Sequence, residues 1–239
     1  MVLANGAPIL TIYPVGLCLS LLMLVLTWVG WPRAGLVNWN DAPSGLSLRQ
    51  ALGEIAHLPV ALRILAMGAV NSGGVVYWAV MSLSMAKAGN NGDAALYAGL
   101  VAGLEVPFML ALPLCLRWIS RTGLIVVGAL LYAFQLVGIP LLAGTPWVWL
   151  MILPGAAGAG VTLTLPIAYL QDLLADRPGT GASLMALQFT AGSALSAACF
   201  ALGTWAAPDV SGYGLAGVFG TIVTVGGAVA AHLADRKRR

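Results

Sequence analysis

Apolar residues run through this chain in seven long stretches, which are separated by mostly short polar connections. A helix needs about 20 apolar residues to cross a bilayer, and each stretch is long enough to do so. The stretches cover residues 9–31, 60–86, 94–116, 123–143, 146–170, 181–206 and 212–234. The pattern therefore predicts an all-α integral membrane protein with seven transmembrane helices.

One connection is much longer than the others, and it separates the first apolar stretch from the second. Its final part, Ser47–His57, has the spacing of a short amphipathic helix, with Ser47 and Gln50 as a capping box. We predict three regions on this basis. They are a first transmembrane helix over 1–31, a cytoplasmic linker with an amphipathic helix over 32–58, and six transmembrane helices over 59–239.

Charged residues are few and lie mostly on one side of the predicted membrane. They make up 8% of the chain, against about 25% in soluble domains. If every stretch crosses the membrane, only Lys87 lies on the other side from the remaining basic residues, which are Arg33, Arg49, Arg63, Arg117, Arg121, Arg177, Arg236, Lys237, Arg238 and Arg239. Basic loops are typical of the cytoplasmic face. We therefore expect a cytoplasmic C-terminus and an external N-terminus, and the scattered charge indicates no nucleic-acid partner.

The sequence carries no enzyme motif such as HExxH, GxSxG or GxGxxG. Its three cysteines stand singly in apolar stretches, without the spacing of a metal site. We therefore predict no enzymatic activity, no cofactor and no metal. A retinal protein would need a lysine in mid-membrane, and Lys87 lies at the end of a stretch. A ligand-gated receptor of similar topology stays open, although the long linker is unusual for one.

Glu105 is the most informative residue, because it interrupts the apolar run Tyr97–Leu116. A carboxylate at that depth costs ~2.5–3.5 kcal/mol on insertion scales and normally faces a water-filled cavity or a partner. We predict that it exchanges protons or contacts substrate. The alternative is a structural hydrogen bond to Asn71 or Gln135. Pro107, two residues further on, can free a carbonyl group of the same helix.

Four charged residues flank two short connections on the predicted cytoplasmic side. They are Arg117, Arg121, Asp172 and Arg177. Their position predicts a gate or a contact between loop and helix rather than a substrate site.

Two segments and one asparagine resemble the second half of a major facilitator, and in particular the bacterial sugar efflux transporters. The segment Tyr97–Leu110 is similar to that family's AGLE-[IV]-P-x-ML element in helix 8. The segment Ile167–Leu184 is similar to its YFQDL…G…A(T/S)L element around the connection of helices 10 and 11. Asn71 lies where the family has an asparagine in helix 7. The similarity runs from Thr11 to the C-terminus.

The chain also departs from that family at two places. The family has a polar run early in helix 11, whereas only Gln188 and Thr190 are polar within Met185–Ala191. The loop Arg117–Leu124 lacks the acidic residue of the superfamily's usual loop motif. The first departure leaves the identity of the substrate open.

The resemblance implies a fold and a function. The last six helices would form one major-facilitator half, built from two three-helix repeats, in a bacterial inner membrane. The implied activity is efflux of small sugars or glycosides in exchange for protons. Amides pair with hydroxyl groups and flat rings stack on a pyranose, so the candidate substrate contacts are Asn71, Tyr77, Trp78, Gln135 and Gln188. The same amides could instead hold helices together, and the aromatic rings could form an interfacial belt.

The resemblance also implies that the first helix corresponds to helix 6 of a complete transporter. Major facilitators bind substrate between two halves, near the midplane of the membrane. We therefore expect an incomplete transporter, or one that needs a missing N-terminal half from another polypeptide. The other partners expected are the lipid bilayer and a small-molecule substrate. Two alternatives remain, namely efflux of drugs or other small amphiphiles, and a non-transporting membrane scaffold or partner subunit.

Overall fold

A computed structural model describes residues 12–30, 53, 56–89, 91–173, 178–208 and 212–236. Each predicted stretch is helical in it, within a few residues of the expected bounds. The helices are α1 (Ile12–Gly30), α2 (Leu58–Lys87), α3 (Asn91–Cys115), α4 (Arg121–Leu142), α5 (Ile152–Leu173), α6 (Pro178–Ala206) and α7 (Gly212–Arg236), with a 3₁₀ helix at Pro146–Met151 before α5. The described part of the chain contains no strand, so the prediction of an all-α membrane protein is confirmed.

The six helices α2 to α7 are each long and apolar enough to cross a membrane, and α1 adds an apolar helix of 19 residues. The chain is therefore a multi-pass membrane protein. It divides into two compact units, Met1–Leu46 and Ser47–Arg239, so that α1 belongs to the first and α2 to α7 belong to the second. The predicted amphipathic helix lies outside the described residues, apart from Gly53, Ala56 and His57.

Local sequence explains where α4 begins. Ser120 has an extended backbone, and its hydroxyl oxygen accepts a hydrogen bond from the backbone N–H of Gly123 at 3.2 Å. A serine in this position satisfies one of the free N–H groups in the first turn of a helix. The cap fixes the start of α4, and with it the position of Arg121.

The packing of the six helices follows a symmetric scheme. Helix α2 packs against α6 and α7, whereas α5 packs against α3 and α4. The last helices of the two triplets, α4 and α7, also pack against each other. Exchanging the triplet α2–α3–α4 with α5–α6–α7 reproduces these pairings. Helices α2 and α5 therefore occupy equivalent positions in these pairings. The contact between α6 and α7 breaks the symmetry, because α3 and α4 have little direct contact.

Small residues let α4 and α5 approach to backbone contact. A methyl group at Gly158 of α5 would lie 2.7 Å from the backbone nitrogen of Tyr132 and 2.8 Å from the carbonyl oxygen of Gly128. Close approach of this kind is typical of membrane helices, whose interfaces are rich in small residues. It brings the side chain of Gln135 on α4 within hydrogen-bonding distance of Tyr97 on α3.

Candidate functional site

Three tyrosines from three successive helices lie in the interior of the bundle. Tyr77 on α2, Tyr97 on α3 and Tyr132 on α4 are all buried, and we refer to them as the tyrosine cluster. The rings of Tyr77 and Tyr132 are in contact, with centroids 5.7 Å apart and planes tilted by 54°. Glu105 is partly buried on α3 and lies within electrostatic range of both rings. The carboxylate therefore interacts electrostatically with two buried tyrosines from two other helices.

Gln135 joins this cluster from α4. Its Nε2 donates a hydrogen bond to the hydroxyl oxygen of Tyr97 at 3.2 Å, and its side chain is fully buried. The amide lies directly on Gly155 of α5, where any side chain would collide with it. The ring of Trp149 packs on the other side of Tyr97, with centroids 5.9 Å apart. Gln135 and Tyr97 are thus held in place from several sides.

Two polar atoms of the cluster have no hydrogen-bond partner among the described residues. They are the hydroxyl of Tyr77 and the Oε1 of Gln135. Buried polar groups are usually paired, and an unpaired one is costly away from water. The expected structural alternative for Glu105 is not observed, because no hydrogen bond joins its carboxylate to Asn71 or to Gln135 in the described part of the chain. These two polar atoms and the Glu105 carboxylate are therefore not paired with one another.

Asn71 and Gln188 lie at the crossing of α2 and α6, and both are buried. A methyl group at Gly192 would lie 2.6 Å from Nδ2 of Asn71 and 2.9 Å from the carbonyl oxygen of Gly68. One at Gly68 would lie 3.3 Å from the carbonyl oxygen of Gln188. The Oε1 of Gln188 has no partner among the described residues. The structure thus brings two of the predicted substrate contacts to one helix crossing.

Trp78 differs from its neighbour Tyr77, because 55% of it is exposed. The two rings touch, with centroids 5.3 Å apart. Trp78 lies seven residues after Asn71, or about two helical turns, so the two side chains share one face of α2. Tyr77 instead points into the bundle. Of the two predicted aromatic contacts, only Trp78 offers an accessible ring.

Two of the four predicted gate residues form an ion pair. Nη1 of Arg121 at the start of α4 contacts Oδ2 of Asp172 near the end of α5, and it also donates to the carbonyl oxygen of Ala168 at 3.5 Å. Arg117 lies exposed beyond the end of α3. Arg177 lies outside the described residues. The pair ties α4 to α5 at the end of the bundle where α3 ends.

The same end of the bundle carries a polar depression between α4 and α7. It is lined by Ser120, Thr122, His232, Asp235 and Arg236. Oγ1 of Thr122 and Nδ1 of His232 form a hydrogen bond of 3.1 Å. This hydrogen bond joins the end of α7 to the first turn of α4.

Sequence reasoning missed the roles of Tyr97 and Tyr132. A tyrosine within an apolar stretch is typical of a membrane–water interface. Nothing in the spacing shows that Tyr132 packs on Tyr77 or that Tyr97 accepts a hydrogen bond from Gln135. The repeated tyrosines on three successive helices, Tyr77, Tyr97 and Tyr132, are the one sequence feature that could have indicated the cluster.

Comparisons with known proteins give one similarity. No family model and no solved structure matches the chain. A protein of Deinococcus radiodurans named "Putative sugar efflux transporter" is 30% identical over 214 residues, which cover 82% of this chain and 50% of that protein. The chain therefore spans about half the length of the curated relative that it matches.

Proposed function

We propose that this chain forms one half of a membrane transporter that exports small sugars or glycosides in exchange for protons. The observation that carries this proposal is the partly buried Glu105, which lies in a membrane-spanning helix within electrostatic range of Tyr77 and Tyr132. Carboxylates inside membrane helices are typical of substrate pathways and proton relays. The name of the Deinococcus relative supports the choice of sugar efflux.

The packing scheme supports a major-facilitator half. Transporter halves of this kind consist of two three-helix repeats of inverted topology, and an exchange of the repeats preserves the helix contacts. The exchange of α2–α3–α4 with α5–α6–α7 preserves the pairings of α2, of α5 and of α4 with α7, although α6 packs against α7 without a counterpart between α3 and α4. In this proposal the second half comes from the remainder of a longer protein or from a second polypeptide. The match to half of the relative's length is consistent with that.

Within the half, the residues take different roles. Glu105 alternates between protonated and ionised forms, since removal from water favours the neutral carboxyl group whereas access to water favours the charged one. Asn71 and Gln188 supply amides for substrate hydroxyl groups, and the exposed ring of Trp78 supplies a flat surface for a pyranose. The pair of Arg121 and Asp172 holds the gate at the cytoplasmic end.

The orientation belongs to the proposal as well. The excess of basic residues supports a cytoplasmic location for the start of α4 and the end of α7. The resemblance to bacterial sugar efflux transporters supports a location in a bacterial inner membrane. Lys87, which lies 5.8 Å from the ring centroid of Tyr213, would then be on the outer side, where it joins the end of α2 to the start of α7.

Transport by the complete native polypeptide tests the proposal. Inside-out membrane vesicles with an acidic interior should accumulate a radiolabelled sugar from a panel of mono- and disaccharides, and dissipation of the pH gradient should release it. Accumulation of a hydrophobic cation in place of any sugar would favour the drug-efflux alternative. Failure to accumulate either class would overturn the proposed transport function.

Asn71 offers a separate test of substrate recognition. Asn71→Ala removes both hydrogen-bonding groups of the amide, and loss of a buried hydrogen bond to a substrate typically weakens transition-state binding by 1.4 kcal/mol or more, about ten-fold. We expect the apparent KM for the sugar to rise by roughly that factor. An unchanged KM would remove Asn71 from the substrate site.

A further inference from the structure

Gln135 connects two helices that are separated by a third. Helix α5 packs against both α3 and α4, whereas α3 and α4 have little direct contact. Gln135 belongs to α4, and its amide nitrogen reaches Tyr97 on α3 at 3.2 Å. The amide passes over α5 at Gly155. The three helices are therefore tied together at one level of the bundle by a single polar bridge.

Gly155 makes this bridge possible. A methyl group at this position would overlap the nitrogen, carbon and oxygen atoms of the Gln135 amide. The bridge does not depend on which amide atom faces Tyr97, because a flipped amide would accept from the tyrosine hydroxyl instead. The bridge therefore rests on three residues from three helices, namely Gln135, Gly155 and Tyr97.

One end of the bridge, Tyr97, lies on α3, the helix that also carries Glu105. Most side chains of α3 are exposed, and its main packing partner is α5. Glu105 follows Tyr97 by eight residues, or about 12 Å along the helix axis. A tether at Tyr97 therefore restricts how α3 can slide or rotate relative to α4 and α5, and it sets where the carboxylate stands.

We propose that Gln135 is a positioning residue for Glu105 and does not contact the substrate. Its side chain is fully buried and its Nε2 is already paired. It acts through Tyr97 by holding α3 in register with α4. This inference rests on the proposed transport function and changes the role predicted for Gln135 from its residue type.

The test combines transport kinetics with thermal unfolding of the purified full-length protein. The variants are Gln135→Leu, Tyr97→Phe, the double variant and Gly155→Ala. The matched control is Gly226→Ala, because a methyl group at Gly226 would meet no other atom within 4 Å. Gly155→Ala is informative because it removes no polar group and displaces the amide only by its bulk.

Positioning through Tyr97 predicts a specific pattern. Both single variants and the double variant should lower the maximal rate equally, by roughly three-fold to twenty-fold for one lost hydrogen bond between membrane helices. They should leave KM within about two-fold, because the substrate contacts themselves are unchanged. Gly155→Ala should resemble them, and Gly226→Ala should match the unmodified protein. The double variant should melt no lower than the less stable single variant, because partners in one interaction are not additive.

A substrate contact predicts the opposite result. Gln135→Leu would then raise KM, Tyr97→Phe would add a further independent loss, and Gly155→Ala would leave the maximal rate unchanged. Additive melting shifts, or this kinetic pattern, would overturn the inference. An unmodified protein that moves no sugar would overturn the proposed function instead. The melting temperatures of the two single variants and the double variant would still show whether the bridge exists.

Discussion

The rings of Tyr77 on α2 and Tyr132 on α4 meet at 5.7 Å, and Glu105 on α3 lies within electrostatic range of both. No basic side chain forms an ion pair with Glu105 in the described part of the chain. Removal from water disfavours the charged form of a carboxylate that lacks a positive partner, whereas contact with water favours it. The environment of Glu105 therefore suits a group that takes up and releases a proton, rather than a permanent structural charge.

The hydroxyl of Tyr77 gives a prediction about stability. It is buried and has no hydrogen-bond partner among the described residues. Tyr77→Phe removes that group without changing the shape of the ring, so the free energy of unfolding should stay the same or rise by up to about 1–3 kcal/mol. The measurement is an SDS titration of the purified protein.

Tyr97→Phe is the matched comparison, because this hydroxyl accepts a hydrogen bond from Gln135. Hydrogen bonds between membrane helices contribute about 0.6 kcal/mol on average and up to about 1.7 kcal/mol. The substitution should therefore destabilise the protein by that amount. If Tyr77→Phe lowered the free energy of unfolding more than Tyr97→Phe, it would be wrong that the Tyr77 hydroxyl is unpaired and the Tyr97 hydroxyl is paired.

The crossing of α2 and α6 gives a second prediction. Gly192→Ala places a methyl group 2.6 Å from Nδ2 of Asn71 and 2.9 Å from the carbonyl oxygen of Gly68. Overpacking of this kind costs about 1–3 kcal/mol. We expect a lower free energy of unfolding in the same titration. Gly103→Ala on α3 is the control, since a methyl group there meets no atom within 4 Å. An equal decrease in the free energy of unfolding in both variants would contradict the close crossing of α2 and α6.

The ion pair of Arg121 and Asp172 should contribute little to stability. The side chains are 36% and 64% exposed, and surface ion pairs are typically worth about 0–1 kcal/mol. Asp172→Asn should therefore leave the free energy of unfolding nearly unchanged. If the pair holds a gate, the variant should instead alter the rate of sugar exchange. A large loss of stability with unchanged exchange would make the pair a structural contact.

Much of the fold follows from the sequence for a physical reason. A helix of about 20 apolar residues spans a bilayer and satisfies its own backbone hydrogen bonds, so apolar length indicates the number of helices and their bounds to within a few residues. Ser120 marks the start of α4 by its capping chemistry. Predicted regions such as the linker over 32–58 stay predictions, because they lie largely outside the described residues.

The site is harder to predict, because helix rotation decides which side chains meet. Glu105 stands out as a lone charge in an apolar run, whereas Tyr97 and Tyr132 do not differ from interfacial tyrosines in sequence. The bridge of Gln135 to Tyr97 depends on a glycine of a third helix, Gly155. An interaction that needs residues from three helices cannot be recognised in the sequence pattern of any one helix.

Transport by Glu105→Gln tests the central claim most directly. Glutamine keeps the shape and hydrogen-bonding capacity of a protonated glutamate, but it cannot release a proton. The measurement compares sugar exchange at equal pH with accumulation driven by a pH gradient, for the complete native polypeptide in membrane vesicles. The account predicts that exchange persists and that driven accumulation is lost. Accumulation equal to that of the unmodified protein would contradict a coupling role for Glu105.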